Sequence, residues 1–378
     1  MISQQEFRSH FDSLGDRLYF NHAAYSPMSR PVAETIKYYL DVRMEGSSDT
    51  WTLAVDHLET LRSNYAALIN TTADRIALTG NTGSGLIALA NGMNWQTGDH
   101  ILLYAHEFPA NVTPFYNLKR LGVDVELVQD VDGRLTPEQF ASKLRPQTRL
   151  ISLSSVQYLT GYRANLKPFS DLCHENGIIF CVDAIQSLGV IPMDVVDMGI
   201  DFLSAGAYKW MMAPIGTGFL YLTEALQEKL QVTGLGYMGN ENPERYDEFD
   251  QELHPDARRF EVGAFPAPGV AGARKALDLL LACGIDNIQK HVSGLTEQFL
   301  SGLKNTAFEP VYTFSKEERA GICLFKHKNQ EQNEEVFKRL TAQKVNIALR
   351  GGGLRFAPHY YNTSEEVDRF LAMLAELS

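Results

Sequence analysis

No stretch of this 378-residue chain is basic enough to grip nucleic acid or an anionic membrane surface. Acidic residues outnumber Lys and Arg by 46 to 34, leaving a formal charge of −12. No apolar run approaches the ~18 residues that a bilayer-crossing helix needs. The opening MISQQEFRSHFDSLG lacks a cationic region followed by an apolar one, so no secretory signal is expected. Cysteine is scarce: Cys173, Cys181, Cys283 and Cys323 are scattered and form no CxxC pair. They are expected as reduced thiols of a cytoplasmic protein, not as a disulfide or zinc framework, and no metal site is expected. Internal repeats, low-complexity tracts, a Walker loop and a GxGxxG fingerprint are also absent. What remains is 44% hydrophobic, ample for a large core.

Through the first 220 residues, short apolar runs alternate with amphipathic windows. DRIALTG, DHILLYA, VDVELVQ, TRLISLSSV, GIIFCVDA, DFLSAGA and TGFLYL read as strands. Helices are expected at Gly85–Met93, Ala110–Leu121, Thr136–Leu144 and Phe169–Asn176, with Pro137 at a first helical position and Gly177 closing a C-terminus. The alternation predicts an α/β fold with a mainly parallel sheet covered by helices on both faces. Residues 236–256 are polar and loop-like. Beyond them, helices at Gly269–Ala282, Asp286–Asn305, Glu334–Gln343 and Glu365–Leu377 and strands in ICLFKH, VNIALR and LRFAPH suggest a smaller α+β unit. The expected division is a large unit over 20–284 and a small one over 285–378, joined by the N-terminal segment 1–19.

Open α/β sheets bind ligands beyond the carboxyl ends of their strands. After DRIALTG comes Asn81-Thr82-Gly83-Ser84-Gly85, whose N–H groups at a helix start suit a phosphate, although Asn and Thr are also ordinary caps. After GIIFCV comes Asp183, either a helix cap or a carboxylate set against a cationic ring nitrogen. After DFLSAGA comes Lys209 between Tyr208 and Trp210. A lysine there either snorkels to water or keeps a desolvated amine fit to attack a carbonyl. Phosphate cradle, carboxylate, and a lysine about 25 residues further on, each at a strand end, are what pyridoxal 5′-phosphate held by a lysine Schiff base requires.

Across nearly its whole length the chain resembles the class V aminotransferases of the fold-type I pyridoxal phosphate enzymes. That group also contains cysteine desulfurases, kynureninase and isopenicillin N epimerase-like proteins. The likeness runs from YFNHAAYSPM (19–28) through NTGSG, HEFPAN (106–111), VQYLTG (156–161), VDAIQSLG (182–189), AYKWMMAPIGTGFLY (207–221) and RFEVGAFP (259–266) to LRFAPHYYNTSEEVDRF (354–370). It implies that Lys209 carries the cofactor and shuttles the Cα proton, while Asp183 pairs with the pyridine nitrogen. Gln186 would bond the phenolic oxygen, with Gln157 nearby or merely a polar strand end. Thr82, Gly83 and Tyr208 would hold the phosphate, and Phe108 would stack on the ring. Arg355, with Arg350 as its neighbour and rival, would receive the substrate α-carboxylate. Asn21 and His22 fall in an N-terminal active-site segment. A homodimer acting on an amino acid is implied with them.

The sequence departs from the desulfurase branch. No cysteine precedes Arg355 in a loop: Arg350 reaches Arg355 through only GGGL, and Cys323 lies on an expected strand. Gly206 replaces a phosphate-binding Ser, and Ala264 replaces a Thr lent across the dimer. A persulfide-forming desulfurase is therefore disfavoured. Transamination ranks first, a cysteine or cystine C–S lyase working by β-elimination second, and epimerisation remains open. A dinucleotide-dependent dehydrogenase would leave Lys209 idle.

Overall fold

The computed structural model describes residues 2–46 and 50–377; residues 1 and 378 of the expected units, with 47–49, lie outside them. Seven strands form the main sheet: β1 Ile76–Thr79, β2 His100–Tyr104, β3 Asp124–Val128, β4 Thr148–Ser154, β5 Ile179–Asp183, β6 Phe202–Gly206 and β7 Gly218–Leu222. Their order is β1-β7-β6-β5-β4-β2-β3, and only β7 runs antiparallel to its neighbours. All seven fall within the expected runs. Alternate residues feed two cores: Leu102 and Tyr104 of β2 face one, Ile101 and Leu103 the other. That is why these strands read as continuous apolar runs, since both faces are covered. The protein is α/β, with the mainly parallel, doubly covered sheet that the sequence predicts.

The helix Thr82–Gly92 packs Leu86, Leu89 and Ala90 on one sheet face, while Thr50–Leu68, Leu166–Glu175 and Ala267–Cys283 pack on the other. Gly85 has a steric reason to be glycine. A Cβ there would lie 2.9 Å from the Ser204 Cβ, so only glycine lets this helix settle against β6. Gly177 ends Leu166–Glu175 with φ +66°, and Thr136 caps Pro137–Ala141 through a capping box with Gln139. The helix expected at Ala110–Leu121 is broken into Pro109–Asn111, Thr113–Tyr116 and Asn117–Leu121, because Pro109 and Pro114 each start a new turn and cannot donate within a continuous one. Helices Arg30–Met44 and Thr50–Leu68 lie where no element is expected above. In the second, His57 and Arg62 are buried among Leu58, Leu61 and Tyr65, which blurs the apolar stripe.

Past residue 300, four antiparallel strands form a second sheet: β8 Phe308–Pro310, β9 Cys323–His327, β10 Ala348–Arg350 and β11 Gly353–Phe356, in the order β10-β11-β9-β8. VNIALR is not one strand. Its start, Val345–Asn346, leaves this sheet to pair in parallel with Leu18–Tyr19. Leu18 and Phe20 thereby enter an aromatic core with Phe299, Phe325, Phe356 and Phe370. No helix of the described residues is long and apolar enough to cross a membrane.

Candidate active site

The carboxyl ends of β5 and β6 bring Asp183 and Lys209 together. Lys209 is 6% exposed, and among the described residues its Nζ has no hydrogen-bond or ion-pair partner. It lies 5.5 Å from the centroid of Phe108 and 5.8 Å from that of Tyr208. Burial pushes its pKa down to about 8; Asp183 opposes this, while Arg355 and Arg350 add to it. Asp183 is 2% exposed and accepts from the Ile185 N–H at 3.0 Å. Burial raises its carboxyl to about 6, against the pull of that N–H and of Lys209. Burial of the side chain and the lowered pKa favour the reading of a desolvated amine over that of a lysine whose head lies in bulk water.

The start of Thr82–Gly92 opens beside this pair. Asn81 caps the helix by accepting from the Ser84 N–H at 3.0 Å. The first-turn N–H groups of Thr82 and Gly83 have no acceptor within the helix. The Thr82 hydroxyl turns to the sheet, where it accepts from the Gly206 N–H at 2.9 Å, and the Thr82 carbonyl accepts from Ser204 at 2.8 Å. A Cβ on Gly206 would lie 3.3 Å from the Tyr208 ring and 3.5 Å from the Thr82 nitrogen. The Tyr208 ring therefore fills the room that a serine side chain would use at 206.

Other expected contacts are engaged elsewhere. Gln157 is engaged within its own loop: its amide donates to the His106 carbonyl at 2.7 Å, and its carbonyl accepts from Leu159 and Thr160 at 2.6 and 2.7 Å. The side chain braces its own loop instead of reaching toward a ligand. Gln186 donates to the Ala23 carbonyl at 2.9 Å and accepts from the Trp210 indole at 2.8 Å, so it ties the lysine's loop to the N-terminal segment. His22 also departs from expectation. It is wholly buried, its Nδ1 donates to the Ala357 carbonyl at 2.8 Å, and its ring packs near Trp210 and His359. Its Nε2 is buried without a hydrogen-bond partner. Asn21 bridges Ala357 through its backbone, and its side-chain oxygen is buried without a partner.

Arg355 and Arg350 are separated by burial. Arg355, 2% exposed, donates to the Tyr158 carbonyl at 2.6 Å, and its Nε is buried without a partner. Burial first, then Arg350, lowers its pKa to about 10. Arg350 is exposed. Among the described residues no carboxylate lies within ion-pair distance of either guanidinium.

Glu107, inside HEFPAN, was given no role from sequence. It is buried and accepts from the Ser154 N–H at 2.5 Å and from the Ser154 hydroxyl. Ser154 pairs in register with Asp183, so a second carboxylate sits one strand away, and burial, aided by Asp183, raises Glu107 to about 7. Its only signal in the sequence is its position next to Phe108. Two cavities of ≈ 610 and ≈ 360 Å³ are lined by neither Lys209 nor Arg355.

Pyridoxal phosphate asks for an amine, a carboxylate, an aromatic face and a phosphate cradle. The unpartnered Lys209 amine, Asp183 with its single backbone donor, the Phe108 ring and the free N–H groups of Thr82 and Gly83 fit that demand. The family description "Aminotransferase class-V" matches residues 18–370. The chain belongs to the class V aminotransferase family. An uncharacterised aminotransferase of Bacillus subtilis, YcbU, is 27% identical over 96% of this chain and 95% of its own length. A probable cysteine desulfurase of Methanothermobacter thermautotrophicus is 26% identical over 99% and 98%. Among solved structures, the cystine C–S lyase C-DES with cysteine persulfide superposes with a TM-score of 0.90 at 23% identity, covering 97% of this chain and 99% of that one. The Escherichia coli cysteine desulfurase CsdA gives 0.88 at 20%, covering 100% and 98%. This class V chain has pyridoxal 5′-phosphate as its cofactor.

Proposed function

We propose that this class V enzyme is an aminotransferase that removes the amino group of an amino acid and passes it to a 2-oxo acid. The observation that carries the reading is Arg355, a buried guanidinium without a carboxylate partner that acts electrostatically on Lys209. Its planar donors suit an α-carboxylate, which sets the substrate Cα toward the lysine. Bound pyridoxal phosphate supplies the electron sink for breaking the Cα–H bond. Lys209 takes that proton at Nζ, and its lowered pKa leaves part of the amine neutral near pH 7–8. Asp183 would pair with the ring nitrogen, Phe108 would stack on the ring, and Thr82, Gly83 and Tyr208 would hold the phosphate. Gln186 and His22 support the lysine's loop from behind. Asn21 would meet the substrate from the N-terminal segment.

A second reading, a C–S lyase acting by β-elimination on cysteine or cystine, is favoured by one specific pairing. Several relatives are named cysteine desulfurases, yet all four cysteines here are buried, with the Cys323 thiol pushed up to about 12 by burial. Sulfur chemistry without a thiolate nucleophile would be elimination. Amino-group transfer to a 2-oxo acid, measured with purified holoenzyme, tests the first reading. Pyruvate and ammonia released from cystine with no 2-oxo acid present would replace it with the second. A homodimer in the cytoplasm belongs to the same proposal, as does the division into units 20–284 and 285–378. The division is supported by the separate aromatic core around Phe299 and Phe356, although helix Ile285–Leu303 feeds Ile288 and Val292 to the larger core.

A further inference from the structure

The hairpin β10–β11 places two arginines side by side. Its turn, Gly351-Gly352, has φ of +55° and +76°, a backbone that glycine adopts without strain. The antiparallel register pairs Ala348 with Arg355 and Arg350 with Gly353. Side chains alternate between faces along a strand, so Ala348, Arg350, Gly353 and Arg355 share one face. Arg350 and Arg355 are then diagonal neighbours, with Cα atoms roughly 7–8 Å apart. The opposite face, Leu349, Leu354 and Phe356, belongs to the aromatic core, so the arginine face points away from that core, where Arg355 reaches the Tyr158 carbonyl and acts with Arg350 on Lys209.

Like charges at this spacing repel unless an anion lies between them. None does among the described residues, in a chain with 46 acidic side chains to draw on. The groups acting on Lys209 are Asp183, Arg355 and Arg350, and those acting on Arg355 are Arg350 and Tyr158. Asp183 acts on Lys209, whereas no carboxylate acts on Arg355. An α-carboxylate on Arg355 balances that guanidinium and still leaves Arg350 without a counter-ion at the exposed rim.

We propose that the substrate is an amino acid with a second, distal carboxylate, received by Arg350 at the mouth of the site while the α-carboxylate lies on Arg355. The inference rests on the reading of Arg355 given above. It makes Arg350 a specificity residue, not a rival for the same group. Because Arg350 is exposed, its contribution is screened by salt.

The test compares substrates that differ only in that charge. With purified holoenzyme, kcat/KM is measured for L-aspartate against L-asparagine and for L-glutamate against L-glutamine, while the cofactor absorbance is followed on mixing. The acid is expected to exceed its amide by about 100-fold in at least one pair, and the excess should shrink as ionic strength rises. Arg350→Gln should bring the acid-to-amide ratio to within about threefold of one, and Arg350→Lys should keep most of it. Amides used as well as acids, or a ratio unmoved in Arg350→Gln, would overturn the proposal. If neutral amino acids perturb the cofactor and acidic ones are not preferred, the second carboxylate alone is refuted. If no amino acid perturbs the cofactor, the parent reading fails and this one with it.

Discussion

Charge is handled in opposite ways on the two sides of the site. At the ends of β5 and β6, Asp183 and Lys209 offset each other: each moves the other's pKa toward the charged form against the cost of burial. On the hairpin β10–β11, Arg355 and Arg350 have no such offset, and Arg350 makes the charge on the buried Arg355 less favourable. The first arrangement is complete before any substrate arrives. The second is short of an anion, and a buried guanidinium without a counter-ion is costly unless something fills the place. Under the proposed function, the difference would separate the half of the site that keeps the cofactor from the half that selects a substrate.

Removing the amine should have the largest effect. Lys209→Ala is expected to abolish the yellow lysine-bound cofactor absorbance and lower turnover by roughly 10³-fold or more, read by absorbance and steady-state kinetics. Retention of both would mean that the offset pair is only structural. Next in size is Arg355→Ala. Loss of a buried charge-assisted contact should cost roughly 100-fold in kcat/KM while the cofactor absorbance survives, so that the hairpin fails without the strand ends failing.

The pH dependence of stability sharpens the contrast further. In cofactor-free protein, Asp183 and Glu107 bind protons more tightly folded than unfolded. Their stabilisation is present below about pH 4 and is lost as pH rises to about 6 and 7 respectively. Lys209 has the opposite sign, because its folded pKa near 8 lies below the model-peptide value, so stability returns between about pH 8 and 10.5. A melting-temperature profile should therefore show a minimum near pH 7–8. Glu107→Gln should flatten its acidic limb, by at most on the order of 3–4 kcal/mol. Cofactor binding should remove the Asp183 part, because a ring cation lowers that carboxyl. A profile with no minimum would mean that burial does not govern these groups. The smallest expected effect is Cys323→Ser, within about twofold of wild-type kcat/KM, since this thiol is buried on β9 with its pKa raised. A large loss there would revive a thiolate mechanism.

Much of the arrangement around Lys209 and Asp183 was legible in sequence because its signals are local. Strand runs, the small-residue turn at 80–85 and the residues that follow GIIFCV and DFLSAGA all lie within a few positions of one another. Side-chain direction was not legible. Gln157 sits in VQYLTG, but only the folded loop shows its amide spent on His106, Leu159 and Thr160. Glu107 went unnoticed because its partner, Ser154, is 47 residues away. His22 reads as a site residue by position, while contacts with residues about 190 and 335 positions downstream bury it completely. Helix Thr50–Leu68 escaped because an arginine inside it pairs with the distant Glu261 in a buried ion pair, and no sequence window contains both.

The sequence by itself determined the α/β layering, through the period and length of its apolar runs, and the order of phosphate cradle, carboxylate and lysine at successive strand ends. Which arginine is buried, which polar groups are already spent, and that two guanidiniums share one face without a carboxylate were decided only by tertiary structure. Those facts depend on register and on partners tens to hundreds of residues apart, and a linear pattern carries neither.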